Sequence, residues 1–248
     1  MYNKEKAMQE KISVKDYKGK LISILGDSIS TFDGYIPKAD GVNLDHRSRY
    51  PQDNLLTDVN ETWWMKVIND LGGVLAVNDS WAGSTVSNHR DENEKDFGPD
   101  AAMASLTRIR NLGSKGIPDL IFLFGGTNDA GKMVDKGEFN KEYSFDLSRY
   151  KWNSFADAYC ETILRLRNVY PNAEIIVLTP SISGGYYDNS RLSEFADLVL
   201  EICSYYQIKC IDLRRSGLTF DMLPDTLHPN AEGMECIYRA VINRMKEV

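Results

Sequence analysis

The 248-residue sequence predicts a three-layer α/β/α sandwich with a flavodoxin-like parallel five-stranded sheet in the order 2-1-3-4-5. Two observations lead there. Short, continuously apolar runs such as Asp119–Phe124 (DLIFLF) and Glu174–Leu178 (EIIVL) read as strands buried on both faces. These runs alternate with longer segments whose apolar residues recur at helical spacing. Strands buried on both sides need helices on both sides of a parallel sheet, and right-handed crossovers then restrict the connections.

The elements follow in order. A polar lead-in covers residues 1–18, and Lys20–Leu25 (KLISIL) is the first strand, ending at Gly26. Glu61–Leu71 (ETWWMKVINDL) is a helix stopped by Gly72 and Gly73, and Val74–Val77 is the second strand. Pro99–Leu112 reads as a helix opened by Pro99 and closed by Gly113. Asp119–Phe124 is the third strand, Ser154–Tyr170 a helix stopped by Pro171, and Glu174–Leu178 the fourth strand. Ser190–Tyr206 repeats apolar residues at Leu192, Phe195, Ala196, Val199 and Ile202. Ile208–Leu213 is the fifth strand, and Asn230–Lys246 the last helix.

Two long segments depart from this rhythm. One spans about 31–61 and carries Tyr35, Pro37, His46, Tyr50 and Pro51. The other spans about 130–153 and carries Phe139, Tyr143, Phe145, Tyr150 and Trp152. Both follow carboxyl ends of strands, the edge where open α/β sheets bind ligands. Their aromatic content argues for order and for contact with a substrate. With no repeat, low-complexity tract or linker, one domain over residues 1–248 is expected.

Composition excludes several classes. A net charge of −7 without any Lys or Arg run speaks against a nucleic-acid partner. An apolar share of 42 % over this length supplies a large core without disulfides. The four cysteines, Cys160, Cys203, Cys210 and Cys236, form no Cys-x-x-Cys pair and read as buried free thiols. The first twenty residues lack the apolar stretch of a signal peptide, and no run approaches about 18 apolar residues, so no membrane partner and a cytoplasmic location are expected. No trio of His, Asp, Glu or Cys has metal-ligand spacing, and no Gly-x-Gly-x-x-G loop follows the first strand, so neither metal nor organic cofactor is expected.

Four segments carry chemistry, each at or near a strand end. They are Gly26-Asp27-Ser28, Gly83 within Asn78–Gly83, Gly126-Thr127-Asn128-Asp129, and Asp225-Thr226-Leu227-His228-Pro229. Parallel strands bring their carboxyl ends to one edge. A serine hydroxyl needs a base within reach, and that base needs an orienting group. Ser28 follows the first strand in a turn that can expose its hydroxyl. Asp225 lies three residues before His228, so a single short loop can present both and fix the imidazole tautomer. A developing oxyanion needs donors: the Ser28 N–H, the N–H of Gly83, where no side chain intervenes, and the Asn128 amide. Asp27, Trp81 and Asp129 flank these groups as candidates for support or substrate contact. Taken singly each segment is also an ordinary turn or cap; in order, at successive strand ends, they specify a hydrolase.

These segments resemble the four blocks of the SGNH hydrolase superfamily, the GDSL esterases and lipases. The resemblance runs from about residue 20 to the C-terminus and includes Pro229-Asn230-Ala231-x-Gly233. The glycine block, a single residue, is its weakest part. The resemblance implies Ser28 as nucleophile, His228 as base, and Ser28, Gly83 and Asn128 as oxyanion donors. It also implies a flavodoxin-like sandwich and cleavage of esters or thioesters through an acyl-enzyme. Ile29 and Ser30 follow Ser28, so the Gly-x-Ser-x-Gly elbow of α/β-hydrolases is absent.

The expected substrate is a short-chain acyl ester, in particular an O-acetylated carbohydrate, since the two long segments mix aromatic with polar residues and no extended apolar lid helix stands out. A lipase, thioesterase or acyltransferase, or a non-catalytic carbohydrate-binding module, are the alternatives. His89 reads as a surface-loop histidine, and His46, in the first long segment, as a candidate for substrate contact. Trp63 and Trp64 sit on a helix, where core packing is expected of at least one. The oligomeric state is not legible in the sequence.

Overall fold

In the computed structural model, five strands pair in parallel in the order β2-β1-β3-β4-β5: β1 (Leu21–Gly26), β2 (Val74–Ser80), β3 (Leu120–Phe124), β4 (Glu174–Leu178) and β5 (Lys209–Ile211). The structure describes residues 16–35, 56–88, 101–143, 145–150 and 154–246. Among the described residues six helices accompany the strands: α1 (Trp63–Leu71), α2 (Leu106–Asn111), α3 (Thr127–Gly131), α4 (Phe155–Val169), α5 (Asn189–Tyr205) and α6 (Ala231–Lys246). Pro37, His46, Tyr50, Pro51, His89, Pro99 and Trp152 lie outside the described residues.

Successive residues of a strand point to opposite faces of the sheet, and here both faces are apolar. Ile22, Ile24, Leu120, Phe122, Phe124, Ile176, Leu178 and Ile211 pack with α1 and α6, the latter through Met234, Ile237 and Val241. Leu25, Ile121, Leu123, Ile175 and Val177 pack with Ile109 of α2, with α4 and with α5. The three-layer sandwich and its strand order agree with the sequence. Trp63 and Trp64 are both fully buried. Trp63 meets the Phe122 and Phe124 rings edge-on at 5.6 and 6.0 Å, and its indole N–H donates to Ser30 Oγ at 3.2 Å.

Two expectations change. The helix expected over Pro99–Leu112 begins only at Leu106, because the Ser105 hydroxyl accepts the Arg108 N–H and so caps it there. The apolar residues before it bond sideways instead: Met103 N–H donates to Thr85 O and Ala104 N–H to Val86 O. Gly126-Thr127-Asn128-Asp129 leads from β3 into a short helix, with Gly126 at φ +111 just ahead of it. Finally, Cys210 and Cys236 are only half-buried, whereas Cys160 and Cys203 are buried; all four are free thiols.

The segment after α3 also serves differently from expectation. Phe139 and Phe145 pack on Tyr205 and Tyr206, and the Tyr150 and Tyr206 hydroxyls lie 3.2 Å apart. Tyr205 and Tyr206 close α5 just before β5 begins. These aromatics therefore pack toward the sheet edge opposite the carboxyl ends of the strands.

Replacing Trp63 by Ala removes a large side chain that the sheet cannot collapse to fill. It is expected to destabilise the protein by about 3–5 kcal/mol, read as a lower urea midpoint. Ile117→Ala, at a 76 % exposed position, should shift stability by no more than about 0.5 kcal/mol.

Candidate active site

The carboxyl ends of β1 and its neighbours are level, with Gly26 opposite both Ser80 and Phe124. Each chain leaves the sheet there through a turn that its own residues shape. Asp27 accepts the Ile29 N–H at 3.0 Å and caps a single helical turn over Ser28–Ser30. Gly26 is required at the exit, because a Cβ there would lie 2.8 Å from Ser80 Oγ and 3.0 Å from Ser30 Oγ. The turn holds Ser28 at the edge with 6 % of its surface exposed.

The loop before α6 faces it. Asp225 Oδ1 accepts the N–H groups of Leu227 and His228 at 3.0 and 2.7 Å, which curls the loop around its own carboxylate. Thr226 sits at φ +68 within this curl, a conformation that a threonine adopts only under constraint. The result is a continuous line. His228 Nδ1 lies 2.7 Å from Asp225 Oδ2, and His228 Nε2 lies 2.7 Å from Ser28 Oγ. Partial burial raises the Asp225 pKa, but the bonds from the His228 ring, the His228 N–H and the Leu227 N–H outweigh it and hold the carboxyl below the usual range. An ionised Asp225 accepts the Nδ1 proton, which leaves Nε2 free to accept from the Ser28 hydroxyl.

The other two segments meet beside Ser28. Gly83 turns the chain at φ +75. Ser84, next in sequence, donates its hydroxyl to the Gly26 carbonyl at 3.3 Å and accepts the Asn128 amide N–H on its own carbonyl at 3.0 Å. Asn128 is 4 % exposed at the start of α3. Asp129 fastens this arrangement from below: its carboxylate accepts the N–H groups of Val86 and Ser87 at 2.8 and 3.0 Å and the Ser87 hydroxyl at 2.7 Å. The structure thus brings together Ser28, Gly83, Asn128, Asp129, Asp225 and His228. Trp81 turns to support: its indole N–H donates to Asp79 Oδ1 at 2.6 Å.

Two contributors gave no signal in the sequence. Arg108, on α2, is fully buried beneath the Gly83 loop. The loop after β4 is the other. Gly184 N–H and Ser183 Oγ both donate to Thr226 O, and the Tyr187 hydroxyl reaches Asn128 Oδ1 at 3.4 Å. The Tyr187 ring covers Gly131, where a Cβ would lie 2.2 Å from it. Among the described residues no cluster of three His, Cys, Asp or Glu could hold a metal ion, and no helix is long and apolar enough to cross a membrane.

Fold and site together define a class. A hydroxyl, imidazole and carboxylate aligned at the carboxyl edge of a 2-1-3-4-5 sheet, with a glycine turn and an asparagine beside them, are the arrangement of the SGNH hydrolases. The chain belongs to the GDSL-like lipase/acylhydrolase family, whose family model matches residues 20–245. Among solved structures it is similar to a candidate GDSL-like lipase from Bacteroides uniformis, with 30 % identity, TM-score 0.69, and 93 % of this chain and 97 % of that one covered. A second, from Bacteroides ovatus, shares 29 % identity at TM-score 0.68, covering 93 % and 100 % of the two chains. An acetyl-xylooligosaccharide esterase from Geobacillus stearothermophilus shares the fold at TM-score 0.56 and 18 % identity, covering 93 % and 96 %. A search of curated proteins finds no match.

Asp27 carries a measurable signature. It is fully buried, and burial pushes its carboxyl up to about 7 against the lowering effect of the Ile29 N–H. Below about pH 4 the group is protonated in both folded and unfolded chains and contributes nothing. Between there and about 7 the unfolded chain ionises while the folded one keeps its proton, so Asp27 progressively lowers stability as pH rises. Asp27→Asn lacks this penalty. Its melting temperature relative to wild type should climb from pH 4.5 to 7 and stay level above; a difference independent of pH would show that Asp27 is not shifted.

Proposed function

We propose that the protein is a serine esterase that hydrolyses short-chain acyl esters through an acyl-enzyme on Ser28. The observation that carries this reading is the unbroken Asp225–His228–Ser28 line, with both links at 2.7 Å. His228 Nε2 takes the hydroxyl proton as Ser28 Oγ attacks the ester carbonyl carbon. The carbonyl oxygen becomes an oxyanion, held by the N–H groups of Ser28 and Gly83 and by the second amide proton of Asn128, the first being bound to Ser84 O. The tetrahedral adduct collapses, the C–O bond to the alcohol breaks, and His228 returns its proton to the leaving oxygen. Water then attacks the acyl-serine by the same steps in reverse. Asp225 keeps the ring oriented and stabilises the imidazolium that forms.

For the alcohol part we propose an O-acetylated carbohydrate. The support is now the loop after β4 and not the segment over 130–153. Tyr186 is 61 % exposed and stacks edge-on against Tyr187 at 4.8 Å, beside Asn128. A sugar face can pack on such a ring while its acetyl group reaches Ser28. The Geobacillus enzyme acts on an acetylated xylooligosaccharide, but its likeness to this chain is one of fold.

Ser28→Ala should lower kcat on p-nitrophenyl acetate by about 10⁴–10⁶-fold with the melting temperature little changed, and should abolish fluorophosphonate labelling. Labelling that persists in the variant would refute the assignment, and a wild-type protein that neither labels nor hydrolyses would favour a binding module. Asp225→Asn should cost up to about 10⁴-fold in kcat, because asparagine favours the wrong imidazole tautomer. A series of p-nitrophenyl esters should peak at acetyl; a maximum at long chains would favour a lipase.

A further inference from the structure

Burying a guanidinium is costly unless its donors are all put to use. Arg108 is 1 % exposed; its two terminal nitrogens are spent on backbone carbonyls, while the buried Nε makes no hydrogen bond. Nη2 donates to the Gly26 carbonyl at 3.0 Å and to the Asp79 carbonyl at 2.5 Å, and Nη1 donates to Ala101 O at 2.8 Å. The Asp79 carboxylate lies 3.7 Å from Nε, and the guanidinium carbon stands 4.7 Å from the centre of the Trp81 ring. One planar group therefore grips the carboxyl ends of β1 and β2 together.

The Gly26 carbonyl is the shared point. It also accepts the Trp81 N–H at 3.1 Å and the Ser84 hydroxyl at 3.3 Å. Trp81 and Ser84 flank Ala82-Gly83, and Gly26 lies two residues before Ser28. The nucleophile turn and the glycine loop are thus tied to each other through one carbonyl oxygen, and Arg108 is the charged donor on it. We propose that Arg108 is a positioning residue that sets the spacing between Ser28 and the Gly83 donor. This rests on the reading of Ser28 and Gly83 given above. A lysine would keep the charge but cannot fork to the three carbonyls.

The test is Arg108→Lys, assayed beside wild type on p-nitrophenyl acetate, with active sites counted by fluorophosphonate labelling. The site would then be misaligned in every folded molecule. Expected is a fall of about 10–100-fold in kcat per labelled site, with KM within about threefold and the acid limb of the rate profile unmoved. Loss of fold stability alone would reduce the number of labelled sites and leave kcat per site intact. Ser84→Ala removes a second donor to the same carbonyl. It should lower kcat several-fold, and the double variant should lose less than the product of the single losses. A folded Arg108→Lys protein with wild-type kcat per site, or with a change in KM alone, overturns the proposal. Should that variant not fold, an unaltered kcat in Ser84→Ala overturns it, and a reduced kcat at unchanged KM supports it. A wild-type protein without ester hydrolysis or Ser28 labelling would instead defeat the esterase reading itself.

Discussion

Parallel pairing of β1 with β2 on one side and β3 on the other is the constraint from which the site follows. It brings the ends of the three strands level at Gly26, Ser80 and Phe124. Ser28, Gly83 and Asn128 each lie only a few residues beyond one of those ends. A slip in register between β1 and β3 would carry Asn128 along the strand axis by about 3.3 Å per residue, more than a hydrogen bond tolerates. The core that resists such a slip is the double-faced packing of β3, which sends Phe122 and Phe124 against Trp63 and Ile121 and Leu123 toward α4 and α5.

Beneath the edge lies a set of buried ionisable groups: Asp27, Asp79, Arg108 and Asp129. Burial raises the pKa of all three carboxyls and lowers that of the guanidinium, so folding works against each charge. Bonds to backbone offset this. Asp129 accepts three hydrogen bonds from Val86 and Ser87, and Arg108 gives three to carbonyls. All of these bonds except the one from Arg108 to Ala101 join segments far apart in sequence. The polar layer is therefore better understood as what fixes loop geometry than as a source of stability, since apolar side chains in the same space would pack without any desolvation cost.

The aromatic residues divide by place. Those of the segment after α3 cover the end of α5 and add to the core. The pair at Tyr186 and Tyr187 stands at the opposite edge, where one hydroxyl touches Asn128 and the neighbouring ring faces solvent. The same loop donates twice to Thr226 O, so it joins the amide side of the site to the imidazole side. A substrate resting there would meet both halves at once.

Much was legible in residue order alone. Five apolar runs with helical segments between them specify the sandwich and the strand order, because a strand apolar on both faces has no other stable setting. Ser28, Asn128, Asp225 and His228 stood out because hydrolytic chemistry demands those residue types at strand ends. Local spacing also foretold the Asp225–His228 bond, since three residues suffice for one loop to present both groups. Other features depended on contacts across long separations. Ser105 delays the start of α2, while Met103 and Ala104, apolar and helical in appearance, bond to Thr85 and Val86. Arg108 gives no sign in the sequence of its partners at positions 26 and 79, and Tyr187 none of reaching position 128. Periodicity and residue type report on a chain's nearest neighbours. Which distant carbonyl a buried guanidinium finds is settled only when the layers close on one another.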